Sequence, residues 1–190
     1  MPMRSMSDAM LLSAAAAGDQ RAFTTIVERH SGAVYRHALR IFGDAQAAED
    51  ATQEVFIKVF RALDTFDGRA KFTTWLFRVT RNACLDMIRA GRRTPRPVDP
   101  LTLEPIAEAD FSDQIVLAGA LEEAMASLPP EEREALAAVT LYGLTYADAG
   151  VELGIPAGTV KSRVFRARKS LFFALRGPEG GAIGGLPQSQ

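Results

Sequence analysis

The densest chemistry in this 190-residue chain is a run of cations near its C-terminal end. In the stretch TYADAGVELGIPAGTVKSRVFRARKS, Thr145 to Ser170, the later of two helices carries Lys161, Arg163, Arg166, Arg168 and Lys169 with no acidic residue among them. Such groups neutralise phosphates, and arginine also forks onto the acceptor edge of guanine in the major groove. Val160, Val164 and Leu171 recur on the other side at helical spacing, so the helix has a seam to bury and a face to present. A basic helix is often only a solvated face. Here a second helix precedes it, with Thr145 and Asp148 spaced as a capping box and Gly154 at the turn. That is the form of a helix-turn-helix, and DNA contact is the stronger reading. Thr159, Lys161, Ser162 and Arg163 then lie nearest base edges, and Arg166 and Arg168 nearest phosphates.

A second basic segment runs from Lys71 through Arg78, Arg81, Arg89, Arg92, Arg93 and Arg96, opposed only by Asp86. Phe72, Trp75 and Phe77 are interleaved with it, and Phe66 lies in the loop before it. Cations that follow phosphates beside rings that stack on bases are what single-stranded DNA binding uses. Burial in the core remains an equal account of Trp75 and Phe77, and Phe66 could anchor its own loop. Between the two segments and the N-terminus, Asp44, Glu49, Asp50, Glu54, Asp64 and Asp67 outnumber Lys58 and Arg61. Paired carboxylates can ligate a metal or exchange protons. No cysteine or histidine accompanies these, and His30 and His37 lie a helical stretch away. A docking face for a protein partner fits better. The chain has no phosphate-binding glycine loop, nucleophile elbow or zinc spacing, so neither cofactor nor metal nor small-molecule substrate is expected, and an enzyme is the last choice.

The elements that position these residues read as helices. One spans Ser7 to Ala17. Asp19 caps the next, whose apolar positions Phe23, Ile26, Val27, Val34, Leu39 and Phe42 run to Gly43. Asp44 caps a third, with Val55, Phe56, Val59, Phe60 and Leu63 as its buried stripe. After a turn-rich loop at 64–71, a fourth runs from Phe72 to Ala90 with Trp75, Leu76, Val79, Ala83 and Ile88 inward, and Gly91 ends it. Pro95, Pro97, Pro100 and Pro105 make the following stretch an extended linker, acidic toward its end. A second helical unit begins near Ser112, with Pro129-Pro130 at a helix start, and its last helix ends near Leu175. The fold class is therefore all-α: two small helical domains joined by an acidic, proline-containing linker. The net charge of −1 hides this segregation of charge along the chain. Cys84 is the only cysteine, so no intrachain disulfide can form. The apolar stretch Met10 to Ala17 is too short to span a bilayer and fits a signal peptide poorly, which leaves the cytoplasm as the expected compartment.

Four stretches carry a resemblance: GDQRAFTTIVERH, AEDATQEVFIKVFRAL, FTTWLFRVTRNACLDMIR and LPPEEREALAAVTLYGLTYADAGVELGIPAGTVKSRVFRARKSL. In this order they resemble extracytoplasmic-function sigma factors, the two-domain class of the bacterial sigma-70 family. The resemblance implies a region 2 domain at 1–93, a linker at 94–112, a region 4 helix-turn-helix domain at 113–176 and a flexible tail at 177–190. It implies that Asp50, Gln53, Glu54, Phe56, Ile57 and Lys58 bind the β′ clamp helices of core RNA polymerase. It implies that Phe66, Lys71, Phe72, Thr74, Trp75, Arg78, Arg81 and Asn82 open the promoter −10 element and capture a flipped base. The helix-turn-helix would read the −35 element and dock on the β flap, the acidic linker would thread toward the RNA path, and an anti-sigma factor would hold the chain inactive. One departure is Ala149-Gly150, where relatives carry a large aliphatic and alanine; a looser helix and a less stable C-terminal domain are expected from it. The rivals are a stand-alone helix-turn-helix regulator, which leaves the acidic helix unexplained, and a sigma mimic that sequesters an anti-sigma protein, which needs no basic recognition helix.

Overall fold

The computed structural model describes residues 5–66, 68–91, 121 and 123–176. The helices are α1 (Asp8–Ala16), α2 (Gln20–Phe42), α3 (Ala45–Arg61), α4 (Phe72–Arg89), α5 (Pro130–Thr140), α6 (Tyr146–Leu153) and α7 (Ala157–Arg176), with a 3-10 turn at Leu63–Thr65. No strand occurs among the described residues. Among them, too, no helix is long and apolar enough to cross a membrane. The expected linker, the start near Ser112, the tail, and Arg92, Arg93 and Arg96 lie outside the described residues.

Local chemistry sets the helix ends where the sequence places them. Ser7 Oγ accepts from the Met10 amide, Asp19 from the amides of Arg21 and Ala22, and Asp44 from that of Ala47. Each satisfies amide hydrogens that a helix start leaves without partners. Pro130 occupies the first turn of α5, where a missing amide hydrogen costs nothing.

In the N-terminal half α2 packs between α1 and α3, and α4 closes the bundle. Leu11, Ile26, Val34, Val55, Val59, Leu76 and Phe77 are fully buried. Burying each stabilises by about 1.5–3 kcal/mol. Ala38, Ala47, Ala48 and Ala51 form a second cluster with Phe42, Cys84 and Met87, where small side chains let the helices approach. Burial pushes the Cys84 thiol up to about 12, so it acts as a small apolar side chain. In the C-terminal half, α7 packs on both α5 and α6. Val160, Val164 and Ala167 form its buried seam against Ala135, Leu136 and Ala149. Leu171, expected in that seam, is half-buried, and Ala167 takes the place.

Two expectations need correction. Phe60 is 55% exposed instead of buried, because the stripe of α3 turns inward at Val55, Phe56 and Val59 and leaves position 60 on the outer side. Ala149-Gly150 does not mark slack packing. A Cβ on Gly150 would lie 2.7 Å from the Ile155 carbonyl oxygen and 3.3 Å from the Ala157 nitrogen, so glycine is what lets the turn close onto α6.

Candidate nucleic-acid and partner interfaces

The turn between α6 and α7 aims the basic face. Thr145 Oγ1 accepts from the Asp148 amide at 3.1 Å and donates to Asp148 Oδ2 at 2.8 Å. The short Asp148 carboxylate thus takes the threonine hydroxyl, giving a contracted capping box. Gly154 ends α6 in the left-handed conformation (φ 69°), which side-chain-bearing residues rarely adopt, and the Ile155 amide donates to the Gly150 carbonyl at 3.0 Å.

On α7, Lys161, Ser162, Arg166, Arg168 and Lys169 are exposed on the side away from the seam, whereas Thr159 and Arg163 are half-buried at its edges. The Ser162 hydroxyl donates to the Thr159 carbonyl, leaving its oxygen facing outward as an acceptor. Phe165, 67% exposed, stands in the middle of this face, one turn from Lys161 and Lys169. The sequence reading missed it. Its exposure follows from its spacing of one and two residues from Val164 and Ala167, a signal that was present in the periodicity. An exposed ring among cations suits contact with a thymine methyl.

On α4, Lys71, Arg78, Asn82 and Arg89 are exposed and Trp75 is half-buried, and their spacing puts all five on one ridge. Phe72 and Thr74 do not join it. Phe72 is 5% and Thr74 8% exposed, so both serve the interior, and Phe77 is fully buried. The loop ring Phe66 is half-buried against Trp75 and Phe72, at centroid distances of 5.3 and 6.1 Å, and the His30 ring lies edge-on to Phe72 at 5.1 Å. Phe66 thus anchors its own loop and supports Trp75 from below.

On α3, Glu49, Gln53, Ile57 and Phe60 form one exposed ridge flanked by Asp50 and Glu54. Phe23 meets Phe60 edge-on at 5.1 Å. Phe56 is turned inward at 7% exposure, against its expected surface role. Lys58 lies between Asp86 at 3.3 Å and Glu54 at 3.9 Å, so its charge ties α3 to α4.

The two halves meet at His37, which is 1% exposed. Its ring stacks on Phe77 at 5.4 Å, its Nδ1 is 3.0 Å from the Tyr142 hydroxyl and its Nε2 3.4 Å from Glu134 Oε1. Arg81 Nε lies 3.8 Å from Glu134 Oε2, and Arg78 Nε lies 3.9 Å from Glu152 Oε2. Arg133 donates to the Arg40 carbonyl at 2.6 Å. Burial pushes the Glu134 carboxyl up, but the hydrogen bond and charge of His37, with Arg81 and Arg133, outweigh it and hold it below the usual carboxylate value. Two cations of the α4 basic segment are therefore paired with carboxylates of α5 and α6. Sequence alone offered no sign of this junction, because its partners lie about a hundred positions apart.

Two family profiles match the chain: sigma-70 region 2 over residues 26–94 and sigma-70 region 4 over residues 118–171. The ECF RNA polymerase sigma factor SigE of Mycolicibacterium smegmatis is 39% identical over 165 residues, covering 82% of this chain and 63% of that protein's length. The ECF sigma factor SigM of Mycobacterium tuberculosis is 39% identical over 166 residues, covering 87% of this chain and 83% of its own. Among solved structures, the sigma factor RpoE of Bartonella quintana in complex with the anti-sigma factor NepR superimposes with a TM-score of 0.60 at 27% identity, covering 83% of this chain and 98% of that one.

Proposed function

Because the chain belongs to the extracytoplasmic-function sigma factors of the sigma-70 family, we propose that it joins core RNA polymerase and directs initiation at promoters carrying −10 and −35 elements. It acts as a specificity subunit in the cytoplasm, with no catalysis of its own. The observation that carries this reading is the pair of surface ridges on one chain: Gln53, Glu54, Ile57 and Phe60 on α3, and Lys161, Ser162, Arg166 and Arg168 on α7. The first supplies apolar contact inside an acidic rim, as a protein interface needs. The second supplies what a major groove needs. A stand-alone regulator would have use for the second ridge only.

Residues 1–93 would hold the polymerase and −10 functions, residues 113–176 the −35 function, with 94–112 linking them and 177–190 as a tail. Lys71, Trp75, Arg78, Asn82 and Arg81 would engage the −10 strand, with Phe66, Phe72 and Thr74 supporting them from behind. For Arg78 and Arg81 this means exchanging Glu152 and Glu134 for phosphates. Opening the duplex costs a few kcal/mol for each flipped base, on the order of what one stacking ring and a few phosphate contacts return. An anti-sigma factor such as the one bound to the Bartonella relative would hold this chain inactive by covering the α3 ridge.

The test is competition for core polymerase against the housekeeping sigma subunit. Mutually exclusive binding that is lost in Glu54→Lys is expected. A folded sample that binds DNA but never displaces the housekeeping subunit would overturn the assignment.

A further inference from the structure

The first turn of α5 carries two adjacent carboxylates with different surroundings. Glu131 is exposed, as an acid at a helix N-terminus usually is. Glu132 is only 8% exposed and reaches across to α7, where its Oε1 accepts from Arg166 Nε at 2.7 Å. That distance marks a charge-assisted hydrogen bond. Arg166 is otherwise half out in solvent, with 55% of its side chain accessible, and its two terminal nitrogens have no other partner among the described residues. A buried carboxylate therefore holds the inner nitrogen of the guanidinium, while the outer fork projects from the exposed face of the recognition helix.

We propose that Glu132 is a positioning residue for promoter reading: it fixes Arg166 so that the fork meets a guanine edge, and converts that arginine from a phosphate contact into a base contact. The inference rests on the sigma-factor reading above and deepens it. The physical argument has two parts. An arginine on four rotatable bonds loses much freedom when it docks bidentately on guanine O6 and N7, and an anchor at Nε removes part of that loss before DNA arrives. The same negative charge offsets the guanidinium's attraction for phosphate, which is blind to sequence, and leaves the directional hydrogen bonds that are not. Its place along the helix alone puts Arg166 nearest phosphates. The Glu132 contact reverses that assignment.

The experiment uses holoenzyme reconstituted from core polymerase and the full chain, transcribing a promoter pool with every −35 position randomised. Arg166→Ala identifies the position this arginine reads, with an expected loss of about fivefold or more in preference for guanine there. Glu132→Leu, which fills the buried site without an acceptor, should erode the same preference at least about threefold and spare every other position. It should also make promoter binding fall more steeply with added salt, because the arginine turns to phosphate. Glu132→Gln keeps an acceptor for Nε and should restore most of the base preference. Thermal melting of each variant separates a folding defect from a reading defect. A uniform loss across all promoters in Glu132→Leu, with the preference profile unchanged, would reduce Glu132 to a structural tie between α5 and α7 and overturn the proposal. Arg166→Ala with an unaltered profile but reduced binding everywhere would return Arg166 to phosphate contact and also overturn it. A chain that never joins polymerase would fail earlier, at the competition assay.

Discussion

Replacing Gly150 by alanine should destabilise the C-terminal helices, although the same change in an ordinary helix interior stabilises by about 1 kcal/mol. The added Cβ would lie 2.7 Å from the Ile155 carbonyl oxygen, with the Ala157 nitrogen at 3.3 Å and its Cα at 3.5 Å. All three are backbone atoms of the turn, so no rotamer change relieves the overlap. The turn has to move off α6 by more than half an ångström, which strains the bond from the Ile155 amide to the Gly150 carbonyl. Overpacking of this kind costs about 1–3 kcal/mol. Set against the propensity gain, the net expectation is a loss of about 1 kcal/mol. Gly158 is the control: it sits in the first turn of α7 with nothing within 4 Å of its would-be Cβ, so Gly158→Ala should be neutral or stabilising by up to about 1 kcal/mol. Urea denaturation of the full chain can follow both halves, since Trp75 is the only tryptophan and reports on the N-terminal helices while far-UV dichroism reports on all of them. Gly150→Ala should bring the dichroism midpoint down and move the Trp75 transition less. If Gly150→Ala raised that midpoint as Gly158→Ala does, the close approach of turn and helix would not exist as described.

Four further expectations concern Phe56, Phe60, Trp75 and His30. Phe56→Ala should cost about 3–5 kcal/mol because the ring is buried. Phe60→Ala should cost less than about 1 kcal/mol yet weaken core polymerase binding about tenfold or more; melting and anisotropy measurements check the two. Trp75→Ala should leave duplex −35 binding intact while slowing promoter opening, read by permanganate reactivity of unpaired thymines. Burial, partly opposed by Asp8, holds the His30 pKa below 6.5. The unfolded chain then takes up protons first as pH falls below about 6.5. The stability from this site is full above that value and is lost as pH drops toward the folded pKa, so midpoints at pH 5.5 should lie below those at pH 7.5, and His30→Gln should shrink the difference.

What could be read from the sequence was local. Ser7, Asp19, Asp44 and Thr145 cap the helices they precede, because a cap needs only its own next few residues. The basic faces of α4 and α7 were visible for the same reason. Phe56 is buried as the helical period places it, against the surface role that the resemblance implied. Phe60 left the stripe because a 3.6-residue period leaves a boundary position free to fall either way, and only the angle between α3 and its neighbours decides it. Gly150 was misread since helix propensity treats glycine as a deficit, whereas a close backbone approach makes it a requirement. Glu132 and Glu134 look alike in LPPEEREAL, two acids in a helix's opening turns. Their partners, Arg166 and His37 with Arg81, are brought to them by folding and could not be counted from spacing.

Glu134 also bears on how the two halves come apart. The −10 and −35 elements are about 25 base pairs apart, or about 85 Å along a duplex at 3.4 Å per pair, whereas α4 packs directly on α6. A chain that reads both elements must therefore break the His37–Glu134–Tyr142 junction. Its polar network is only partly satisfied: Arg40 Nη1, Arg133 Nε and Glu134 Oε2 are buried with no hydrogen-bond partner among the described residues. Burial lowers the pKa of both arginines, which marks the strain of keeping their charges there. A half-satisfied network opens more readily than an apolar one of the same size. Glu134→Gln removes the charge that His37 and Arg81 share. With Arg81 a third exposed and its pairing discounted for solvent, the expected effect is about 1 kcal/mol toward separation, roughly a fivefold change in population. Small-angle scattering should register a larger radius of gyration, and association with core polymerase should quicken. Acidification offers an independent check. The Glu134 carboxyl has a lowered pKa, so its contribution is complete above about pH 4.5 and is lost only as pH falls through the folded value. The radius should accordingly hold steady from pH 7 to 5 as far as this group decides it, and rise below. Unchanged radius and unchanged association in Glu134→Gln would mean that the junction is held by the Phe77, His37 and Tyr142 rings alone, and that this carboxylate does not compete with DNA phosphates for Arg81.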